Sequence, residues 1–137
     1  LDLVTLMAKI DERDQRHRLD PPVDWTKQQP LDKQNFASID SLYQIHQQYI
    51  GRSLVGEKFQ HVMWTVIQHS DLDGMERYLP VIAEAVKKED LPVAPFKMLI
   101  DRIHHQRHGY QIFGSQVGVE LAPDGIREMV ARKYNLN

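Results

Sequence analysis

The tract DQRHR sets Asp14 and Arg18 four residues apart, the order and spacing at which a carboxylate and a guanidinium pair along a helix. Projected at ~100° per residue, Leu3, Met7 and Ile10 centre an apolar stripe whose next members are Asp14, His17 and Arg18. Two readings are open. The helix either outruns the core and carries a solvated pair worth under ~1 kcal/mol, or forms a polar end to the core that faces a cleft. His69 closes an apolar tract in QHSDLD. It suits a partly buried ring at a helix end, or a general acid or base oriented by a carboxylate such as Asp71, since imidazole titrates near neutrality. His104 and His108 have the four-residue spacing that turns two imidazoles toward one metal ion, with Asp101 one turn earlier. That set lacks the glutamate of HExxH and a clear third ligand, so a solvated His/Arg-rich helix end is the plainer reading. Gly109 to Gln116, GYQIFGSQ, flanks an aromatic-Gly-Ser turn with Gln111 and Gln116. Its crowded donors and acceptors suit either a turn that satisfies buried helix ends or a ligand-contacting loop.

These groups must be held by helices, because hydrophobic residues recur at helical spacing along most of the chain. A first helix carries Leu3, Leu6, Met7 and Ile10 and ends before Pro21-Pro22. The tract Leu19 to Pro30 reads as a rigid connection. A second helix opens near Asp32, turns Phe36, Ile39, Leu42, Tyr43 and Tyr49 inward, and stops at Gly51. A third spans about Glu57 to Ser70, with Trp64 read as core. A fourth starts after Asp71 or Asp73, with the cap role preferred for Asp73, and runs to Lys88. Pro80 falls inside it and should kink it or open one hydrogen bond. A fifth spans about Ala94 to Arg107, and a final one Asp124 to Tyr134 with Ile126, Met129 and Val130 inward. Only Tyr110 to Phe113 reads as extended. The expectation is an all-α, single-domain bundle of five to six helices over residues 1–137. Its core should hold Leu3, Met7, Phe36, Leu42, Val62, Val66, Leu79, Ile82, Leu99 and Ile103.

Composition narrows the chemistry. With 42% hydrophobic and 26% charged residues in 137, the chain can bury enough apolar surface to offset the entropy of ordering. Lys+Arg 17 against Asp+Glu 19 leaves no basic excess to hold a polyanion, so no nucleic-acid partner is expected. The absence of cysteine excludes disulfides, zinc ribbons, iron–sulfur ligation and thiol nucleophiles. Apolar stretches such as Phe96 to Ile100 are far short of the roughly 18 residues that span a bilayer. The first residue is Leu1 rather than Met, which predicts that a segment has been removed upstream, a signal peptide being one candidate. The protein is thus expected to be soluble, whether cytoplasmic or exported.

Several motifs in this order resemble the bacterial domain-of-unknown-function family 6624. Its members read Asp-Gln-x-x-Arg near the start, then a Trp followed by Gln-His-Ala-Asp, a Leu-Pro-Leu-Leu helix, Asp-Arg-Val and Gln-x-Tyr-Gly-Thr-Gln. The corresponding residues here are Asp14, Gln15 and Arg18; Gln68, His69, Ser70 and Asp71; Asp101 and Arg102; and Gln111 to Gln116. Phe113 stands where the family has Tyr, so no phenol acts there, and Ser115 for Thr keeps the hydroxyl. The resemblance implies no reaction, substrate or cofactor. It does imply that polar hallmark residues from four segments share one pocket.

Two functions of different class follow. In the first, the domain binds a small polar or anionic ligand, or hydrolyses or transfers a group on it. His69 is then the acid/base, with Asp14 or Asp101 as orienting carboxylate and Arg18 with Arg102 as an anion clamp. Gln68, Gln111, Ser115 and Gln116 position the ligand. No GxSxG, P-loop or dinucleotide fingerprint is present, and neither a metal nor an organic cofactor is expected. In the second, the domain is an adaptor or neutralising partner whose motif residues form a hydrogen-bond network that sets helix register.

Overall fold

Asp2 opens the first helix in the computed structural model, which describes residues 2–137: its carboxylate accepts the Thr5 amide at 2.8 Å, occupying one of the unpaired donors of a helix start. Seven helices follow: α1 (Leu3–Gln15), α2 (Trp25–His46), α3 (Arg52–Val55), α4 (Val62–Gln68), α5 (Leu72–Lys87), α6 (Val93–His108) and α7 (Asp124–Lys133). The described residues are 65% helical, and the fold is all-α. None of the helices is long and apolar enough to cross a membrane.

The core is organised around α4. Val62 through Ile67 are all buried, so this short helix is enclosed on every side, and it packs against α1, α2, α5 and α6. Met7 and Ile10 of α1, Ile39 and Leu42 of α2, Met75 and Ile82 of α5, and Phe96, Leu99 and Ile103 of α6 close around it. Leu3, Phe36 and Leu79 pack only at the margin of this core, and Met129 is 63% exposed, contrary to its expected inward placement.

Boundaries differ from the sequence expectation where long-range bonds intervene. The helix count exceeds five or six partly because α3 forms in the expected gap. Its first turn is held by Asp90, whose carboxylate accepts from the Ser53 amide at 2.8 Å and the Ser53 hydroxyl at 2.9 Å. Gly51 does not end α2; Gln47 does so, in the left-handed region at φ 54°. Gly51 is instead a point of close approach, where a Cβ would lie 2.5 Å from the Asp90 carbonyl oxygen. Residues 57–61 are turn, so α4 is shorter than the expected third helix. Asp71, not Asp73, caps α5, accepting the Gly74 amide at 2.8 Å, and the helix continues through Pro80.

The largest difference is at α2, which begins at Trp25 and carries Pro30 inside it rather than starting near Asp32. Proline removes one helical hydrogen bond. Against that loss, the side chain of Gln28 bonds to three sites on the end of α1 and to Asp32, anchoring the early turns. Near the C-terminal end of α6, Gly109 takes the left-handed conformation at φ 79° and stops the helix. The segment expected to be extended reduces to one isolated bridge, Gln111 to Leu121.

Candidate functional site

The apolar stripe of α1 does run on into Asp14, which is 1% exposed. A mirror arrangement starts α2, where Gln28, Asp32 and Asn35 precede Ile39 and Leu42 on the same face. The two helices run antiparallel, so their polar ends meet. Gln28 donates to the Arg13 and Asp14 carbonyls at 3.0 and 3.1 Å and accepts from the His17 amide at 2.9 Å. Asn35 donates to the Ile10 carbonyl at 3.0 Å and accepts from Arg13 Nε at 2.9 Å. Gln28 thereby satisfies carbonyls that a helix leaves unpaired at its C-terminus, while Asn35 ties α2 to α1 one turn earlier.

Into this end α4 delivers His69. Its Nδ1 lies 2.8 Å from Asp14 Oδ1, and its side chain is 17% exposed. A carboxylate only accepts, so Nδ1 carries a proton, and in the neutral tautomer Nε2 is the nitrogen with the lone pair. Nε2 has no bonded partner among the described residues. Asp14 Oδ2 accepts from Gln15 at 2.7 Å, and Arg18 lies 3.6 Å from Oδ1. Asp71, by contrast, is occupied as the cap of α5 and does not orient His69.

Arg18 is more firmly held by Asp32 than by Asp14. Its two terminal nitrogens meet the two Asp32 oxygens at 2.8 and 2.6 Å, one of them also donating to the Asp14 carbonyl, and the guanidinium lies over the Trp25 ring at 5.5 Å. Arg102, on α6, is partly buried. Burial, with the Arg18 charge second, lowers its pKa from the ordinary guanidinium value, and its Nε is buried without a hydrogen-bond partner. Gln68 is partly buried and makes no side-chain bond among the described residues.

The remaining expected site residues form a second, separate network. Asp101 is wholly buried, and its carboxylate accepts from the Ile112, Phe113 and Ser115 amides and the Ser115 hydroxyl, at 2.7 to 2.9 Å. Gln111 accepts from the Gln116 amide and donates to the Gln116 and Val119 carbonyls. Of the Gln116 side chain there is only a long contact to Ser115, at 3.4 Å. The GYQIFGSQ turn is therefore wrapped around Asp101, whose acceptor capacity is filled. In this geometry Asp101, expected as a carboxylate of the acid–base pair, and Gln111, expected as a ligand contact, both hold the loop. Of the seven residues expected in one concavity, Asp14 contacts both Arg18 and His69, Asp101, Gln111 and Gln116 bond within the 111–119 loop network, and Arg102 makes no side-chain bond among the described residues.

His104 and His108 share a face, with ring centroids 5.7 Å apart, and both stack on Tyr110. With Asp101 committed to its loop, the carboxylate of the metal reading is occupied. No group of three or more His, Asp or Glu is placed to hold a metal ion among the described residues. The clefts bounded by Tyr43, Tyr49 and Glu84, and by Pro80, Phe96 and Tyr134, are lined by other residues than the polar end.

Sequence reasoning missed Gln28, Asp32 and Asn35. The signal was present: with Ile39 and Leu42 they form a stripe at 4, 3, 4, 3 spacing, as Met7, Ile10 and Asp14 do in α1. Pro30 concealed it. Compared with family models, curated proteins and solved structures, the chain matches none.

Proposed function

We propose that the polar end where α1, α2 and α4 meet is a site for a small polar or anionic ligand, on which His69 acts as general acid/base in hydrolysis or group transfer. The observation that carries this reading is the His69–Asp14 pair. A buried carboxylate fixes the ring through Nδ1 and stabilises an imidazolium, which leaves Nε2 as the working nitrogen. Arg18, 3.6 Å from Asp14 Oδ1, supplies positive charge beside it, Arg102 is the second cation of the same reading, and Gln68 offers an amide without a side-chain bond among the described residues. The order of the Asp-Gln-x-x-Arg, Gln-His-x-Asp and Gln-x-x-Gly-x-Gln motifs supports membership of the domain-of-unknown-function family 6624 as part of the same proposal.

The test is a turnover screen over phosphorylated, nucleotide and acylated compounds with the wild type and His69→Asn. Loss of about 10²-fold or more in rate with an unchanged melting temperature is the expected result. A second reading has its own support. The saturated bonding of Asp101 and Gln111 suits a protein-interaction module whose motif residues set helix register. On that reading His69→Asn alters no rate and lowers the melting temperature by several degrees, the effect of losing a buried bond worth about 1–3 kcal/mol.

A further inference from the structure

On α5, Pro80, Ala83, Glu84 and Lys87 fall at the i, i+3, i+4 and i+7 positions of one face, beside the inward face of Met75, Tyr78 and Ile82. Pro80 and Ala83 are short, so this face does not fill the space between α5 and the end of α7. A cleft of about 620 Å³ remains there, within the range of roughly 300–1,000 Å³ that holds small ligands.

Its far wall is built by the turn that ends α7. Asn135 takes the left-handed conformation at φ 55°, its amide donating to the Arg132 carbonyl at 3.1 Å and the Leu136 amide to the Ala131 carbonyl at 2.7 Å. That turn folds Leu136 back onto the helix. Lys97 Nζ, 3.0 Å from the Asn137 main-chain oxygen, holds the residue beyond it. Tyr134 packs edge to face on the buried Phe96, with ring centroids 5.3 Å apart. The wall is therefore fixed by its own bonds and packing, which lowers the ordering cost of binding.

The cleft is apolar within and cationic at its edge. Ala83, Val86, Phe96 and Leu136 line it, and so do Lys87 and Lys133, both exposed and in no ion pair among the described residues. Glu84 is the carboxylate of the lining, and Lys88 stands 3.9 Å from it. The charge left over is positive. Lys87 and Lys133 also lie in the last turns of their helices, whose negative ends draw on part of that charge. The surplus matches a monoanion better than a dianion. Because Phe96 and Tyr134 are already paired and the other apolar walls are aliphatic, a flexible chain suits the interior better than a planar ring.

We infer that this cleft binds an amphipathic monocarboxylate of the fatty-acid class, with its chain along Ala83, Val86 and Leu136 and its carboxylate toward Lys87 and Lys133. The site is separate from the polar end of α1, α2 and α4 and does not depend on the reading of that end.

The probe is sodium octanoate below its micellar concentration. Octanol supplies the same chain without charge, octyltrimethylammonium the chain with the opposite charge, and acetate the charge without the chain. Amide NMR shifts locate binding, and calorimetric titration measures it. The expected result is saturable octanoate binding with shifts concentrated at residues 80–87 and 131–137. Octanol and octyltrimethylammonium should bind about fivefold or more weakly, and acetate not at all. Decanoate should bind severalfold more tightly than octanoate, because two further methylenes leave water. The double variant Lys87→Gln with Lys133→Gln should weaken octanoate about fivefold or more and leave octanol unchanged. Ala83→Phe, which fills the cleft, should weaken both. The lysine variant changes only exposed side chains, so it keeps the test readable if Ala83→Phe melts lower. A wild type that does not bind octanoate overturns the inference, as do shifts that fall outside the cleft. Octanoate binding no tighter than that of octyltrimethylammonium, or unchanged in the lysine variant, overturns it as well.

Discussion

At the scale of the residue, one contact decides what His69 can do. Hydrogen bonding of Nδ1 to Asp14 fixes both the tautomer and the ring plane, so the chemistry falls to Nε2. Nitrogen NMR of the neutral ring should therefore show the Nδ1–H tautomer; a dominant Nε2–H form would contradict the geometry. Asp14→Ala removes the acceptor of both the His69 ring and the Gln15 amide. We expect it to cost about 1–3 kcal/mol in urea denaturation. Arg18 should keep its place in that variant, because its stronger partner is Asp32.

Elements here are joined by side chains that cap other elements. Asp101 of α6 gathers three amides of the 112–115 turn. In Asp101→Asn the new amide group faces donors, so about half of those bonds cannot form. Hydrogen exchange should accelerate at the Ile112, Phe113 and Ser115 amides, with the central amides of α6 unchanged. Uniform acceleration across α6 would show that the carboxylate serves the helix and not the turn. At α5, Asp71→Ala removes the cap on the Gly74 amide and should cost about 1 kcal/mol by thermal denaturation.

For the molecule as a whole, stability rests on the shell around α4. Leu99 is fully buried in the core, and Leu99→Ala should lower the unfolding free energy by about 2–5 kcal/mol. The acid limb of the stability curve involves His104. Burial first, and the His108 charge next, lower its pKa from 6.5; Lys133 adds to the effect and Asp101 opposes it. Below 6.5 the unfolded chain takes up a proton that the native ring resists. This contribution is therefore intact above 6.5 and is lost as the pH falls from there toward the lower native value. His104→Phe keeps a ring beside His108 and Tyr110 and should flatten the fall in melting temperature between about pH 7 and about pH 5. An unchanged slope would place the titration elsewhere.

Periodicity alone determined the all-α class, the start of α7, and the apolar stripe of α1 with Asp14 as its next member, though not whether Asp14 is buried. Each depends on the residues of one helix, and a stripe at 3.6 spacing is written in those residues. The partners of that stripe were decided in three dimensions. Nothing local to Asp14 selects His69, fifty-five positions away, as its partner. Nothing local to Arg18 selects Asp32 over Asp14, and α2 extends back through Pro30 because Gln28 finds the end of α1. The division of the motif residues into a polar end and a loop wrapped on Asp101 has the same origin. Buried polar groups take whatever complementary atoms the packing brings within about 3 Å, and only the packing of α1, α2, α4 and α6 sets which those are.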